Sequence, residues 1–169
     1  MRPNAAYWIK KLQLTQHVEG GSYREWYRSA LSVSGKCLPV FFQGDRNIST
    51  GIYFLLQHGQ YSAFHRIASD ELWHFYFGDP LLIYEINHSG ILTTHRLGSD
   101  PENGEVFQTM IKAGSWFASA PAEESEYALV GCTVSPGFDF ADLELADRAS
   151  LSVQYPMHAE LIARLSAAE

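Results

Sequence analysis

Cysteine, basic residues and long apolar runs are all scarce in this chain, and each shortage excludes something. The two cysteines, Cys37 and Cys132, lie far apart without metal-type spacing. They read as free thiols of a reducing cytosol, not as a disulfide framework or a zinc ribbon. Cys132 sits in an apolar run and is expected to pack as a small hydrophobe. Twelve Lys and Arg against nineteen Asp and Glu leave a net charge of −7. That is the wrong sign for a phosphate backbone, so no nucleic-acid partner is expected. No apolar run reaches the roughly 18 residues of a spanning helix, and no signal-type apolar segment follows Met1. No membrane association is expected, and the chain reads as cytoplasmic. Gly-x-Ser-x-Gly does not occur, and Gly20-Gly21 lacks a following Gly-Lys-Ser/Thr. Neither a nucleophile elbow nor a phosphate loop is present.

What the chain does hold is apolar and aromatic. Hydrophobic residues make up 46% and aromatics 14% of 169 residues, enough for one domain over residues 1–169 with a sizeable core. Asn4 can cap a helix carrying Tyr7, Trp8 and Leu12 at helical spacing. Residues 23–28 alternate as a strand, and residues 31–47 read as a long surface connection. Strand candidates then recur at residues 50–57, 60–67, 71–77, 81–86, 91–97, 105–112, 115–119 and 126–134, with turn residues between them. Helical patterns return at residues 147–154 and after Pro156. Short strands with helices only at the ends predict an all-β, closed or two-sheet domain.

Residues 59–78 carry the densest chemistry. His65 lies in one strand and Glu71, Trp73, Phe75 and Phe77 alternate in the next, joined by a turn through Ala68-Ser69-Asp70. Read as a hairpin, period-two alternation turns His65 and Glu71 to a common interior face.

The spacing of this stretch resembles the first motif of the cupins: Gly59, five residues, His65-Arg66-Ile67, three residues, Glu71, six residues, Gly78. One fixed position differs, Ile67 standing where the family has a second histidine. The second cupin motif maps poorly, with Phe117 at its histidine. Further stretches are similar to a cupin subfamily known only as a domain of unknown function. They are His17-Val18-Glu19-Gly20-Gly21-Ser22-Tyr23-Arg24-Glu25, Ser49-Thr50-Gly51-Ile52-Tyr53-Phe54-Leu55-Leu56, Ser69-Asp70-Glu71-Leu72-Trp73-His74-Phe75 and Val130-Gly131-Cys132-Thr133-Val134-Ser135-Pro136-Gly137-Phe138. The resemblance covers residues 15 to 140. It implies a cupin-type jelly-roll β-barrel with short N- and C-terminal helices, and a homodimer.

A complete cupin metal site takes three histidines and a glutamate. Here the resemblance leaves only the partial set His65 and Glu71, because Ile67 and Phe117 have no lone pair to donate. No cofactor is therefore expected. Without metal, His65 as base and Glu71 as its orienting partner suit proton abstraction beside a carbonyl, as in an isomerase or epimerase. Metal-independent sugar-nucleotide epimerases among the cupins resemble the chain at the histidine position. The expected ligand is a small polar metabolite, sugar-like or acidic, held in the barrel. Glu19, Tyr23, Tyr53, Trp73, Phe117 and Ser119 are the candidate ligand-binding residues, while Arg66 alternates outward. Two alternatives stand beside this reading: a binding or sensing module without turnover, and a metal-dependent oxygenase or isomerase with a depleted ligand set.

Overall fold

The Asn4 side chain accepts the amide of Tyr7 at 2.9 Å and starts α1 (Ala5–Leu12), which ends at Gln13 in the left-handed conformation. A series of strands follows. They are β1 (Thr15–Gln16), β2 (Ser22–Arg28), β3 (Ser32–Val33), β4 (Arg46–Asn47), β5 (Thr50–Gln57), β6 (Ser62–Arg66), β7 (Asp70–Gly78), β8 (Leu81–Ile86), β9 (Leu92–Leu97), β10 (Gln108–Ile111), β11 (Trp116–Pro121), β12 (Tyr127–Ser135) and β13 (Glu144–Leu145). Helices α2 (Arg148–Gln154) and α3 (Ala159–Arg164) come last. This computed structural model describes residues 2–166.

The strands form two facing antiparallel sheets and a small ribbon. The larger sheet runs β1-β2-β5-β12-β7-β10, the smaller β13-β6-β11-β8-β9, and β3 pairs with β4 alone. Between the sheets, Phe54, Leu56, Trp73 and Val130 meet Leu81, Ile83, Leu97 and Phe117 in the central core. α1 covers the outer face of the larger sheet over Leu55, Tyr127 and Leu129. α2 and α3 cover the smaller sheet through Leu151, Ile162 and Leu165 against Phe64, Ile86 and Trp116. The architecture is the expected jelly-roll barrel with helices packed outside.

One expectation is corrected. Residues 60–77 do not make a hairpin, because β6 pairs with β11 and β13 while β7 pairs with β12 and β10. The chain instead crosses between the sheets at Ile67-Ala68-Ser69. A tight turn is needed either way, so local sequence looks the same for both; the partners that decide lie far along the chain. His65 and Glu71 still point inward, but from opposite sheets.

A bulge in β6 adds to the interior. Phe117 opposes His65 and Ser119 opposes Ser62, so two steps along β11 match three along β6. The extra residue breaks strict alternation and lets Ser62 and His65 both face inward.

Candidate functional site

The loop between β1 and β2 builds the first wall. Its backbone closes on itself, with the His17 amide donating to the Gly21 carbonyl at 3.1 Å and the Gly20 amide to His17 at 3.2 Å. Gly20 has φ +111°, and a Cβ there would collide with the Tyr61 carbonyl oxygen. Only glycine fits that conformation and that approach. The Ala63 amide donates to the Glu19 carbonyl at 2.8 Å and staples the loop to β6. The outcome is a Glu19 side chain sunk into the end of the barrel, 10% exposed.

Three groups converge on Oε2 of Glu19: the Ser62 hydroxyl donates at 3.0 Å, His65 Nε2 lies at 3.4 Å and His17 Nδ1 at 3.7 Å. His65 Nδ1 is bonded to the Ala63 carbonyl at 2.7 Å, so that nitrogen carries a hydrogen. Nε2 is thereby left facing the Glu19 carboxyl oxygen at 3.4 Å. The His65 ring packs against Phe117, centroids 4.1 Å apart.

Glu71 faces the same space from β7. Burial, and then the charge of Glu19, push its carboxyl up to about 8, so it stays protonated at neutral pH. The Cys132 thiol and the Trp73 indole act weakly in the opposite direction. The indole N–H nevertheless stays outside hydrogen-bond geometry, and it is buried without a partner. Burial also pushes the Cys132 thiol up, which keeps it unreactive as a nucleophile. His17 is held below the usual imidazole range, mainly by burial.

These groups open onto a cavity of about 410 Å³. Tyr23 and Phe54 wall it from the larger sheet, with Trp73 and Glu71 at the floor. Phe138, Asp139 and Phe140, just beyond β12, close it from above. That segment is pinned in several places. The Phe138 amide donates to Thr50 Oγ1 at 2.9 Å, and Arg46 grips Asp142 through two bonds of 2.7 and 2.6 Å. At the more exposed rim, Arg28 donates Nε and Nη2 to Glu25 at 2.8 and 2.7 Å.

The comparisons decide the family. Residues 6–146 match the family described as "Cupin superfamily (DUF985)". The chain is a cupin. An uncharacterised protein of Saccharomyces cerevisiae is 32% identical over 146 residues, covering 79% of this chain and 71% of that protein. A hypothetical protein from Leishmania major superposes with a TM-score of 0.88 at 34% identity, covering 98% of this chain and 100% of its own. A Shewanella oneidensis protein gives 0.87 at 43% identity, with 99% of each chain covered. Oxalate decarboxylase from Bacillus subtilis gives 0.54 at 15% identity over 91% of this chain and 37% of its own, a likeness of fold alone.

The cupin's interior does not bring His65 and Glu71 together. His65 takes Glu19 as its carboxylate partner, and Glu71 meets the charge of Glu19 instead. Glu19, Tyr23, Trp73 and Glu71 all line the cavity. His65 stands behind Glu19, away from the lining. Tyr53 falls on the wrong face: it packs on the outer side of the larger sheet beside α1, because Phe54 is the β5 residue that points inward. Phe117 is buried beneath His65 and Ser119 is fully buried with its hydroxyl unpartnered, so neither reaches the cavity. Arg24 donates to the Leu12 carbonyl at 3.1 Å, outside the site. His17, Phe54, Phe138, Asp139 and Phe140 are among the lining residues that sequence reasoning did not single out. His17 had a signal, since it stands two residues before Glu19, just ahead of the Gly20-Gly21 turn.

The metal that the fold family implies does not suit these residues. At the four motif positions stand His65, Ile67, Glu71 and Phe117, and His65 Nε2 already faces Glu19. Among the described residues no three His, Cys, Asp or Glu side chains gather as a metal-holding group.

Proposed function

We propose that this cupin binds a small polar metabolite in the barrel and moves a proton on it without a metal, as an isomerase or epimerase does. One observation carries the reading: two carboxyl groups, Glu19 and Glu71, face one cavity in unlike environments. Sites that separate the proton affinities of neighbouring groups hold both an acid and a base at one pH. Glu71, protonated through its burial, is the acid. Glu19, flanked by Ser62 and the His65 imidazole, is the base, and His65 serves as its proton partner from behind.

The step balances without any oxidant. Glu19 takes the proton from a carbon beside the substrate's carbonyl while Glu71 gives its proton to the carbonyl oxygen, leaving an enediol. Return of a proton to a different carbon or face gives the isomer. Aromatic walls keep water from the intermediate and hold the substrate by its apolar faces.

Deuterium wash-in tests this. Purified protein is incubated in D2O with chelator and a panel of hydroxy-aldehydes and hydroxy-ketones, and carbon-bound deuterium is followed by NMR. Exchange into at least one compound is expected, falling at least about a hundredfold in Glu19→Gln, in line with the usual worth of a general base. Saturable binding with no exchange anywhere would leave a binding module and end the acid–base reading.

A further inference from the structure

Resting on the reading of this cavity as a ligand site, we propose that its ligand is a small cation: an ammonium group carried close to a hydroxyl or carbonyl oxygen. Charge comes first. Among the described residues Arg28 is the one Lys or Arg on the lining, and Glu25 takes it through two hydrogen bonds. The carboxylates of Glu19 and Asp139 also face the cavity; the basic groups beside Glu19 are the imidazoles of His17 and His65, and Asp139 lies in the field of Arg28 and Arg46 without an ion pair to either among the described residues. Burial holds His17 toward its neutral form, so on the lining, among the described residues, Arg28 alone stands against the carboxylates of Glu19, Glu25 and Asp139, with His65 behind Glu19. A carboxylate or phosphate ligand would enter against like charge, whereas an ammonium group meets its complement.

The walls make the same choice. Tyr23, Phe54, Trp73, Phe138 and Phe140 surround the space with ring after ring, and the faces of such rings attract cations once water is removed. The floor supplies the second requirement. Trp73 is 2% exposed, and its N–H is buried without an acceptor. A buried donor in that condition costs stability until something accepts from it. The protonated Glu71 carboxyl beside it is a second donor. An oxygen on the ligand satisfies both, and about 410 Å³ places the cavity among the smaller of ordinary ligand pockets, which run from about 300 to 1,000 Å³.

Isothermal titration calorimetry on the full chain at pH 7 tests the inference with matched probes. Choline is compared with its neutral carbon isostere 3,3-dimethylbutan-1-ol, and glucosamine with glucose and glucuronate. Each cation is expected to bind about tenfold or more tightly than its neutral counterpart, with no heat from glucuronate. Asp139→Asn should shrink that preference about threefold and leave 3,3-dimethylbutan-1-ol unchanged. Trp73→Phe keeps a ring and removes the donor. It should weaken choline severalfold while sparing tetramethylammonium, which has no oxygen. Equal or tighter binding of a neutral or anionic probe overturns the proposal, and so does absence of cation binding at about 20 mM. The two readings fail separately. Cation binding without deuterium exchange removes only the acid–base chemistry, and exchange on neutral sugars without a charge preference removes only the cation.

Discussion

On one side of β11, His95 is bonded at both ring nitrogens, Nε2 to Glu85 at 2.9 Å and Nδ1 to the Thr109 hydroxyl at 3.0 Å. Glu85 and His95 come from the smaller sheet and Thr109 from the larger, so the chain of bonds clasps the sheets where β9 and β10 leave the barrel unpaired. On the other side of β11, His65 and Glu19 meet at 3.4 Å, and Glu71 has the Glu19 charge for a neighbour. Phe117 separates the two groups, opposing His65 in one register and Glu85 in the other. The residue types are nearly the same. What differs is completion: the clasp satisfies its polar atoms at short range, while the cavity cluster leaves an unpartnered indole N–H and two carboxyls in tension. Incompleteness, more than the presence of histidine and glutamate, marks the face that awaits a ligand.

The strongest blow to that contrast is Gly20→Ala. It forces a Cβ onto the Tyr61 carbonyl at φ +111°, and the loop that carries Glu19 must move. We expect a loss of about 2–4 kcal/mol in urea unfolding and no deuterium exchange, with the His95 clasp untouched. An alanine variant as stable and active as the parent would mean that the loop does not hold Glu19 in place.

Glu71→Gln comes next, and its sign follows from linkage. The Glu71 carboxyl rises from 4.5 to about 8 on folding, so the folded chain holds the extra proton throughout that window. Its contribution to stability is full below 4.5, declines as pH rises, and is gone above about 8. The slope is at most about 1.4 kcal/mol per pH unit. Glutamine, neutral at every pH, should flatten this part of the profile, raise stability at pH 9 relative to the parent, and abolish exchange. A parallel profile would place Glu71 in a wetter setting than the cavity floor.

The two histidines then separate structure from chemistry. His95→Ala leaves Glu85 and Thr109 without their shared partner and should cost about 1–3 kcal/mol in urea unfolding with ligand response intact. His65→Ala removes the proton partner of Glu19 and should lower exchange and change its pH profile. Equal effects of both on exchange would erase the distinction drawn between the clusters.

Much of the fold was legible because its signals are local. The strands at residues 50–57 and 81–86 have the observed bounds, and Asn4 caps α1 as its side chain implies. The site was legible only in part. Glu71 and Trp73 were found through motif spacing and alternation, Glu19 and Tyr23 through their place in the stretch around Gly20-Gly21. The pairing of His65 with Glu19 depends on the β6 bulge and on a loop some forty positions earlier, neither of which leaves a periodic trace. The upper wall, Phe138 to Phe140, lies beyond the last long strand, where alternation has nothing to say. It is placed instead by the grip of Arg46 on Asp142.

Tyr53 supplies the finest test, since a single step along β5 separates it from the cavity. Phe54 points in, whereas Tyr53 lies outside between Trp26 and Tyr76, with ring centroids 6.0 and 5.9 Å away. Its hydroxyl makes no hydrogen bond among the described residues that removal would strand. Tyr53→Phe should therefore change stability by no more than about 0.5 kcal/mol and leave both choline binding and exchange as they were. Phe54→Ala, one position on, opens the cavity wall and should weaken choline severalfold besides costing core packing. A Tyr53 variant that altered ligand affinity would place the ligand on the outer face of the sheet, and the inward-facing cluster would then have no claim to it.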